Sequence, residues 1–367
     1  MDINKDTFCS RPFNEINIDI DGGISPCCTM RGLPYESINH YLNSDFLKDL
    51  KKDLTTGVRN EACFRCWKHE NRGTWSNREL KKTKDFISYA HIKFSNKCNL
   101  KCLMCNKFHS SAIGQEILVR QGKKVTGNII NAFDNNVLKE DFYNNILPKL
   151  EIVVMSGGEP FLSDDHLHFL LHAHKVNPDL MLIYNSNVTT SSYKGYNFVD
   201  LWKKYKEVWV SPSVDGFGNI QEYQRYGSKW EIIEENLLYF KNYINFIHCC
   251  VSIYNISNIT KLINWCVKYD IKIRFFYVSD LWLDAITLPK LEKKLIIEEY
   301  KQLKNIPQDL QIEIKNNILV PLLNEVLEED RIKYNKKFKY QTTKKDNIRN
   351  KSFIEEVPLL KEWYEKI

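Results

Sequence analysis

Three cysteines stand close together in one short segment of the chain. Cys98, Cys102 and Cys105 follow the spacing C-x3-C-x2-C. Thiolates are soft ligands, and three of them on one tight loop suit an iron–sulfur cluster. A four-iron cluster held by three cysteines keeps one iron without a protein ligand. Because that iron can bind a substrate, the spacing predicts a chemical site rather than a purely structural one.

Further cysteines precede this loop, also in spacings that suit metals. They form a lone cysteine, a G-x4-C step and a C-x2-C pair, with Cys9, Gly22, Cys27, Cys63 and Cys66 as their members. A zinc ribbon that combines the C-x2-C pair with Cys102 and Cys105 is an alternative. The gap between those two pairs is longer than zinc ribbons favour, and Cys98 would be left over.

The C-x3-C-x2-C loop resembles the signature of the radical S-adenosylmethionine (SAM) enzymes. In that family an apolar or aromatic residue usually precedes the last cysteine, and Met104 fills this place. The resemblance implies that the three cysteines bind a [4Fe–4S] cluster whose open iron chelates the amino and carboxylate groups of SAM. An electron from the cluster would cleave the sulfonium, and the resulting 5′-deoxyadenosyl radical would abstract hydrogen from a substrate.

Two motifs after predicted strands extend this resemblance. Gly157, Gly158 and Glu159 belong to a GGEP sequence that follows the second predicted strand, where paired glycines let backbone approach a ligand closely. The family's GGEP motif implies contacts with the amino group of SAM. Asn185 ends the third predicted strand, in a loose match to a T-N-G-like turn.

Two further residues complete the predicted SAM site. Ser213 lies in a segment similar to the family's S-x-D-G sequence, which implies a position near the SAM ribose. Arg225 follows in a stretch that resembles Y-R-x-G. Its guanidinium is expected either to meet a carboxylate or to lie on the solvated surface.

The N-terminal cysteines resemble the auxiliary-cluster pattern of SPASM and twitch domains. The resemblance implies a second [4Fe–4S] cluster with no open iron, held by Cys9, Cys27, Cys63 and Cys66. Cys28 is expected to point to the other side of its strand and to pack as a small apolar residue. In the family such segments normally follow the catalytic barrel, whereas here the matching segment precedes it.

Composition places the chain among ordinary globular proteins. Of its 367 residues, 43% are hydrophobic and 27% charged, and the sequence has neither a long apolar run nor a signal-peptide pattern. Eleven cysteines are an odd number, and several stand in metal-type spacings, so a reduced, cytoplasmic protein is expected. A net charge of +6 does not by itself imply nucleic acid.

Strands and helices alternate after residue 88. Apolar or β-rich runs predict strands at 89–94, 152–155, 181–184, 208–210, 246–254 and 271–278. This alternation favours an α/β protein with a parallel sheet. The resemblance implies a partial (β/α)6 TIM-type barrel with a small N-terminal iron–sulfur domain and a helical C-terminal extension. We expect domain boundaries at 1–85, 86–287 and 288–367.

Other residues have simpler expected roles. Cys249 and Cys250 lie in an apolar strand and are expected to pack as small hydrophobic residues. His168 and His172 share a helix face and could bind a metal, but partly exposed helix histidines are commoner. The basic run at 331–351 predicts a solvated tether, with contact to nucleic acid or an acidic partner as the alternative.

The sequence thus predicts a radical SAM enzyme with two [4Fe–4S] clusters and SAM as its cofactors. The expected substrate is a peptide or protein, and a small metabolite such as a sugar or nucleoside derivative is the alternative. An electron donor such as flavodoxin or ferredoxin is expected as a partner, and neither nucleic acid nor a membrane is. A non-catalytic iron–sulfur protein for electron transfer or binding is the hypothesis from another class. The intact cysteine loop and GGEP motif count against it.

Overall fold

The computed structural model describes residues 6–71, 76–125, 129–278 and 280–367. The chain divides into two compact units. The first comprises Met1–Cys98, Lys107–Ser186 and Ser191–Trp209. The second comprises Asn99–Asn106, Asn187–Thr190 and Val210–Ile367.

The strands of the described residues lie mainly in the first two thirds of the chain. They are Glu15–Ile18 (β1), Ile24–Ser25 (β2), Tyr89–Lys93 (β3), Ile152–Ser156 (β4), Met181–Ser186 (β5), Ser192–Tyr193 (β6), Tyr196–Asn197 (β7), Glu207–Pro212 (β8), Ile247–Val251 (β9) and Ile273–Tyr277 (β10). Each strand predicted after residue 88 is present, with ends that differ by a few residues from the expected ones.

The α-helices are Arg11–Asn14 (α1), Ile38–Leu42 (α2), Asp45–Thr56 (α3), Phe64–Glu70 (α4), Ser111–Arg120 (α5), Asn136–Asp141 (α6), Asp164–Val176 (α7), Phe198–Trp202 (α8), Asn219–Gln224 (α9), Trp230–Tyr239 (α10), Ile259–Lys268 (α11), Lys290–Lys301 (α12), Gln308–Ile314 (α13), Val320–Leu323 (α14), Glu328–Arg349 (α15), Phe353–Glu356 (α16) and Lys361–Lys366 (α17). Short 3-10 turns cover Glu61–Cys63, Ala132–Asp134, Leu147–Lys149, Pro160–Leu162, Lys241–Tyr243, Leu281–Leu283, Ala285–Thr287 and Pro358–Leu360. Phe142–Ile146 and Lys315–Leu319 are π-helical.

Among the described residues, we find no helix that is both long and apolar enough to cross a membrane.

A six-stranded sheet organises the first unit, with the order β2-β1-β3-β4-β5-β8. β1 and β2 form an antiparallel hairpin, and β1, β3, β4 and β5 are parallel neighbours. The α/β class with a mixed, mainly parallel sheet is therefore confirmed. The N-terminal strand β1 lies directly beside β3. Polar and apolar residues alternate along β1, a pattern typical of a half-buried strand, but all four of its residues are buried.

The second unit combines the parallel pair β9 and β10 with the C-terminal helices. The predicted solvated tether is wrong, because residues 328–349 form the continuous helix α15. Phe338, Thr342 and Asp346 lie one helical turn apart and are buried. Phe338 and Phe353 pack edge to face at 5.3 Å between ring centroids, and Asp346 accepts a hydrogen bond from the backbone of Phe353. These buried side chains therefore hold one side of the helix, and most of its lysines lie on the other sides.

Candidate functional site

The first cysteine of the loop follows β3 and is held by the start of α5. The backbone N–H of Cys98 donates to the hydroxyl of Ser111 at 3.1 Å. The backbone N–H of Ser111 in turn donates to the carbonyl of Asn96 at 2.8 Å. Ser111 is the first residue of α5, and Ser110 caps this helix with its side chain. A sheet strand and a helix terminus thus determine where the backbone of Cys98 lies.

The other two cysteines lie on a loop that the backbone of residues 224–227 supports in the second unit. The N–H groups of Lys101 and Leu103 donate to the carbonyls of Tyr226 and Gln224, each at 2.8 Å. Leu103 is buried, and Met104, which precedes the last cysteine, is half buried. The backbone N–H of Cys105 donates to the carbonyl of Cys102 at 3.2 Å. Two backbone hydrogen bonds, to Tyr226 and Gln224, therefore hold the loop in place.

A buried ion pair lies beside the second cysteine. Nε of Arg225 is 2.6 Å from Oδ2 of Asp215, and Nη1 of Arg225 is 4.0 Å from Sγ of Cys102. Burial raises the pKa of the Cys102 thiol to about 11, and the nearby guanidinium partly opposes this effect. Arg225 is therefore not a solvated surface residue. The carboxylate it meets belongs to this chain.

The basic helix α15 also contributes to the cysteine loop. Nζ of Lys345 donates to the carbonyl of Leu103, and the guanidinium of Arg349 lies 4.9 Å from the ring centre of Tyr226. The positive charge of Lys345 favours the thiolate of Cys105, while burial has the larger effect and raises the pKa of that thiol. The sequence analysis did not predict this role, because it considered the composition of the basic run at 331–351 and not the spacing of its residues along a helix.

The paired glycines pack against the chain just before the loop. A Cβ atom on Gly158 would lie 2.3 Å from the carbonyl oxygen of Lys97, and one on Gly157 would lie 2.7 Å from that of Ser95. Gly157 also has a φ of +119°, which side chains with a Cβ rarely adopt. The N–H of Gly158 donates to the carbonyl of Ser95 at 2.7 Å. The glycines thus permit backbone contact with the segment that leads to Cys98.

The remaining predicted site residues of the first unit have local partners. Glu159 is buried, and its Oε1 accepts hydrogen bonds from the N–H of Phe161 at 3.1 Å and from the Ser186 hydroxyl at 2.7 Å. Its carboxylate therefore caps the turn after the glycines. Asn185 is half buried in β5, one residue before Ser186.

The second unit holds Ser213 and an asparagine pair that sequence reasoning missed. Ser213 follows β8, is half buried and forms a bridge with His248 of β9. Nδ2 of Asn187 donates to Oδ1 of Asn99 on the cysteine loop at 3.0 Å. Asn187 stands in the turn whose match to the family pattern was loose.

Residues 92–266 match a family model described as the Radical SAM superfamily. The matched segment, just under half of the chain, is a radical SAM segment. All three loop cysteines, the GGEP motif, Ser213 and Arg225 lie inside the matched segment.

Two solved structures are similar to this chain. Native anSMEcpe with bound AdoMet and Cp18Cys peptide is 20% identical over 55% of this chain and 53% of that chain, with a TM-score of 0.36. Streptococcus suis SuiB bound to S-adenosylmethionine is 15% identical over 80% of this chain and 68% of that chain, with a TM-score of 0.37. The chain spans about half the length of the first. A comparison with curated proteins gives no match.

The four N-terminal cysteines, which precede the matched segment, are buried close to one another. Burial raises the pKa of the Cys63 thiol to about 12, and Cys27, Cys66 and Cys9 add to this effect as electrostatic neighbours. An iron–sulfur cluster would take these four cysteines as soft thiolate ligands. The donor set therefore fits the group that the resemblance implies.

Cys28 points away from these four cysteines. It is exposed, so the expectation that it packs as a small apolar residue is wrong. Glu15 and Arg11 are its main charged neighbours. The backbone turns directly after Cys27, whose Sγ lies 3.0 Å from the hydroxyl of Thr29. This turn separates the two adjacent thiols.

The structure gives the surroundings of two further sets of side chains. Cys249 is buried as expected, but Cys250 is half buried on the other face of β9, and its N–H donates to Asp215. His168 and His172 stack with 4.0 Å between ring centroids. Across the described ranges, no group of three or more His, Cys, Asp or Glu side chains is arranged to hold a single metal ion.

Proposed function

We propose that this radical SAM enzyme reductively cleaves S-adenosylmethionine at a [4Fe–4S] cluster bound by Cys98, Cys102 and Cys105. When bound, such a cluster supplies the electron that splits SAM into methionine and a 5′-deoxyadenosyl radical, which then abstracts hydrogen from a substrate. The observation that carries the proposal is the cysteine loop itself, held by backbone hydrogen bonds and flanked by the buried pair of Arg225 and Asp215.

The surrounding residues would prepare this loop for its ligand. Cations near a thiolate favour its deprotonated form, so Arg225 and Lys345 would help Cys102 and Cys105 to act as ligands. Gly158 would keep the segment before Cys98 in place through its backbone contacts. These roles need no side chain to move.

We infer that SAM is held by Met104, Gly157, Gly158, Glu159, Asn185, Ser213 and Arg225. The half-buried side chains of Met104, Asn185 and Ser213 are consistent with this role. Glu159 is already engaged with Ser186 and Phe161, so its contribution would be to shape the turn.

We further propose that Cys9, Cys27, Cys63 and Cys66 bind a second, closed [4Fe–4S] cluster. Their burial and mutual proximity support it. The partial (β/α)6 barrel and the domain boundaries at 1–85, 86–287 and 288–367 stay predictions. The pairing of β1 with β3 indicates that the N-terminal segment and the core share one sheet.

A peptide or protein remains the proposed substrate, because the N-terminal cysteine pattern resembles that of SPASM and twitch domains. A small metabolite is the alternative. A flavodoxin or ferredoxin is the proposed electron donor, and a cytoplasmic location stays a prediction.

Electron paramagnetic resonance tests the proposal at the cluster. In protein reconstituted with iron and sulfide and reduced with dithionite, adding SAM should change the signal of the cluster with the open iron. A variant with Cys98, Cys102 and Cys105 replaced by alanine should keep only a signal that does not respond to SAM. A wild-type spectrum that SAM leaves unaltered would contradict the proposed function.

A further inference from the structure

The hydroxyl of Thr29 lies against two of the four N-terminal cysteines. Its Oγ1 is 3.0 Å from Sγ of Cys27, and its side chain also hydrogen-bonds Cys66, where it favours the thiolate. Between a thiol and a hydroxyl either group can donate. A cysteine that binds iron is a thiolate, which has no proton and can only accept. Thr29 would therefore be the donor to both sulfurs when they act as cluster ligands.

A tight turn after Cys27 sets the position of Thr29. The N–H of Met30 donates to the carbonyl of Cys27 at 3.3 Å, and the hydroxyl of Ser25 donates to the same carbonyl at 3.1 Å. Nδ2 of Asn17 in turn donates to the Ser25 hydroxyl at 3.0 Å. The turn is thus anchored to both strands of the β1–β2 hairpin. Thr29 is half buried in this turn, with its hydroxyl directed at the cysteines.

The surroundings of these cysteines make a hydrogen bond to sulfur more effective than it would be in water. Several buried side chains form one apolar cluster there, and Met30 packs against it: Cys9, Leu50, Leu54, Cys63 and Trp67. In such a medium of low dielectric constant a hydrogen bond is electrostatically stronger, and one that ends on an ionised acceptor is stronger still. A single hydroxyl can therefore change the energy of a charged sulfur measurably.

Backbone groups donate to the same set of sulfurs. The N–H of Glu79 is 3.5 Å from Sγ of Cys9, and the backbone N–H of Asn77 hydrogen-bonds Cys66. A side-chain substitution leaves such backbone donors in place. Thr29 differs from them because valine has nearly the same shape and lacks the hydroxyl. Its contribution can therefore be removed while the backbone donors remain.

We propose that Thr29 raises the reduction potential of the second cluster by donating its hydroxyl proton to the thiolates of Cys27 and Cys66. The added electron increases the negative charge on the sulfurs, so the hydrogen bond stabilises the reduced cluster more than the oxidised one. A cluster that is easier to reduce is the better electron acceptor. Thr29 acts here through the ligands and is a positioning residue. The inference rests on the proposed second cluster.

A redox titration followed by electron paramagnetic resonance tests this role. The full-length protein with Cys98, Cys102 and Cys105 replaced by alanine is reconstituted, so that the second cluster alone contributes to the signal. At a given potential, Thr29→Val should lower the ratio of reduced to oxidised cluster about tenfold, which is a shift of about 59 mV for one electron. Thr29→Ser keeps the hydroxyl and should retain the potential of the background protein.

Thr56→Val is the matched control, because Thr56 is exposed and its hydroxyl donates to the carbonyl of Lys52 at 2.9 Å. It should leave the potential unchanged. If Thr29→Val does not fold, as judged by circular dichroism, Thr29→Ala removes the same hydroxyl and is titrated in its place.

The outcomes separate this inference from the proposed cluster and from the proposed reaction. Full iron content with an unchanged potential in Thr29→Val would overturn the role of Thr29 and leave the second cluster in place. Loss of iron from folded Thr29→Val and Thr29→Ala would also overturn it, because the hydroxyl would then be needed to hold the cysteines. A background protein without iron would remove the second cluster and this inference together. Cleavage of SAM does not enter the titration, so its failure would leave the result unaffected.

Discussion

Arg225 is clamped between a carboxylate and a cysteine: its Nε lies 2.6 Å from Oδ2 of Asp215, and its Nη1 lies 4.0 Å from Sγ of Cys102. Asp215 is fully buried, and its other oxygen accepts the backbone N–H of Cys250 at 2.8 Å. Since both carboxylate oxygens are engaged, the direction of the guanidinium is set by β9 as well as by its own loop. The pair therefore fixes a positive charge next to a proposed cluster ligand.

Removing this charge should make the cluster harder to reduce. The added electron increases the negative charge of the cluster, and a nearby cation stabilises that state. We expect Arg225→Gln to lower the reduction potential by about 60 mV, equivalent to about 1.4 kcal/mol for one electron. Arg225→Lys should retain part of the effect. A redox titration followed by electron paramagnetic resonance measures the shift.

Lys229→Gln is the matched control for this titration, because Lys229 is exposed and its ammonium pairs with Glu222. The cluster in Lys229→Gln should have the same reduction potential as in the wild type. An unchanged potential in Arg225→Gln would mean that the guanidinium has no electrostatic effect on the cluster.

A methyl group at position 158 should disturb mainly the cysteine loop, and the binding of SAM only secondarily. The new Cβ would lie 2.3 Å from the carbonyl of Lys97, a distance that requires the backbone to move. Gly158→Ala should therefore lower the iron bound after reconstitution, measured per chain. Gly195→Ala, where a Cβ meets nothing within 4 Å, should bind iron as the wild type does. Full iron content in Gly158→Ala would show that the backbone adjusts without cost to the site.

Adjacent cysteines should differ in their effect on the second cluster. On a background in which Cys98, Cys102 and Cys105 are alanine, Cys28→Ala should retain about four irons per chain. Cys27→Ala should lose most of them, because Cys27 is buried among the other three cysteines while Cys28 is exposed. Iron analysis gives the answer. The reverse pattern would exchange the ligands, and an iron-free background would remove the second cluster.

Acid should destabilise the protein through His166. This residue is fully buried, and desolvation lowers its pKa to about 3. Because the unfolded state binds the proton more readily, stability is lost as the pH falls from about 6.5 towards 3. Between pH 7.5 and 5.5 the wild type should lose about 1.4 kcal/mol more than His166→Phe. Urea unfolding at both pH values tests this. An equal loss in the two proteins would assign the acid sensitivity elsewhere.

The parts of the site that follow local rules could be predicted from the sequence. Cysteine spacing identifies the loop, and apolar runs locate the strands because burial and strand pairing select those residues directly. The helix at Asp45–Thr56 is capped by the side chain of Ser44 and ends at Gly57, which has a φ of +89°; serine and glycine are the local start and stop signals of a helix. Each of these signals lies within a few residues of the feature that it predicts.

Features that depend on distant partners could not be predicted in this way. The burial of Arg225 requires Asp215 and the strand β9 behind it. The polar residues of β1 suggest a solvated face until β3 is placed beside them. The burial of one side of α15 could not be predicted either, since of Phe338, Thr342 and Asp346 two are polar and the helix shows no apolar period.

The central claim is tested most directly by the products formed from SAM. Reconstituted, dithionite-reduced protein should convert SAM into 5′-deoxyadenosine and methionine in equal amounts, slowly even without a substrate. The variant with Cys98, Cys102 and Cys105 replaced by alanine should form neither product above the level of protein-free buffer. Chromatography with mass detection measures both products. Equal 5′-deoxyadenosine formation by the wild type and the triple variant would contradict the claim that these three cysteines hold the catalytic cluster.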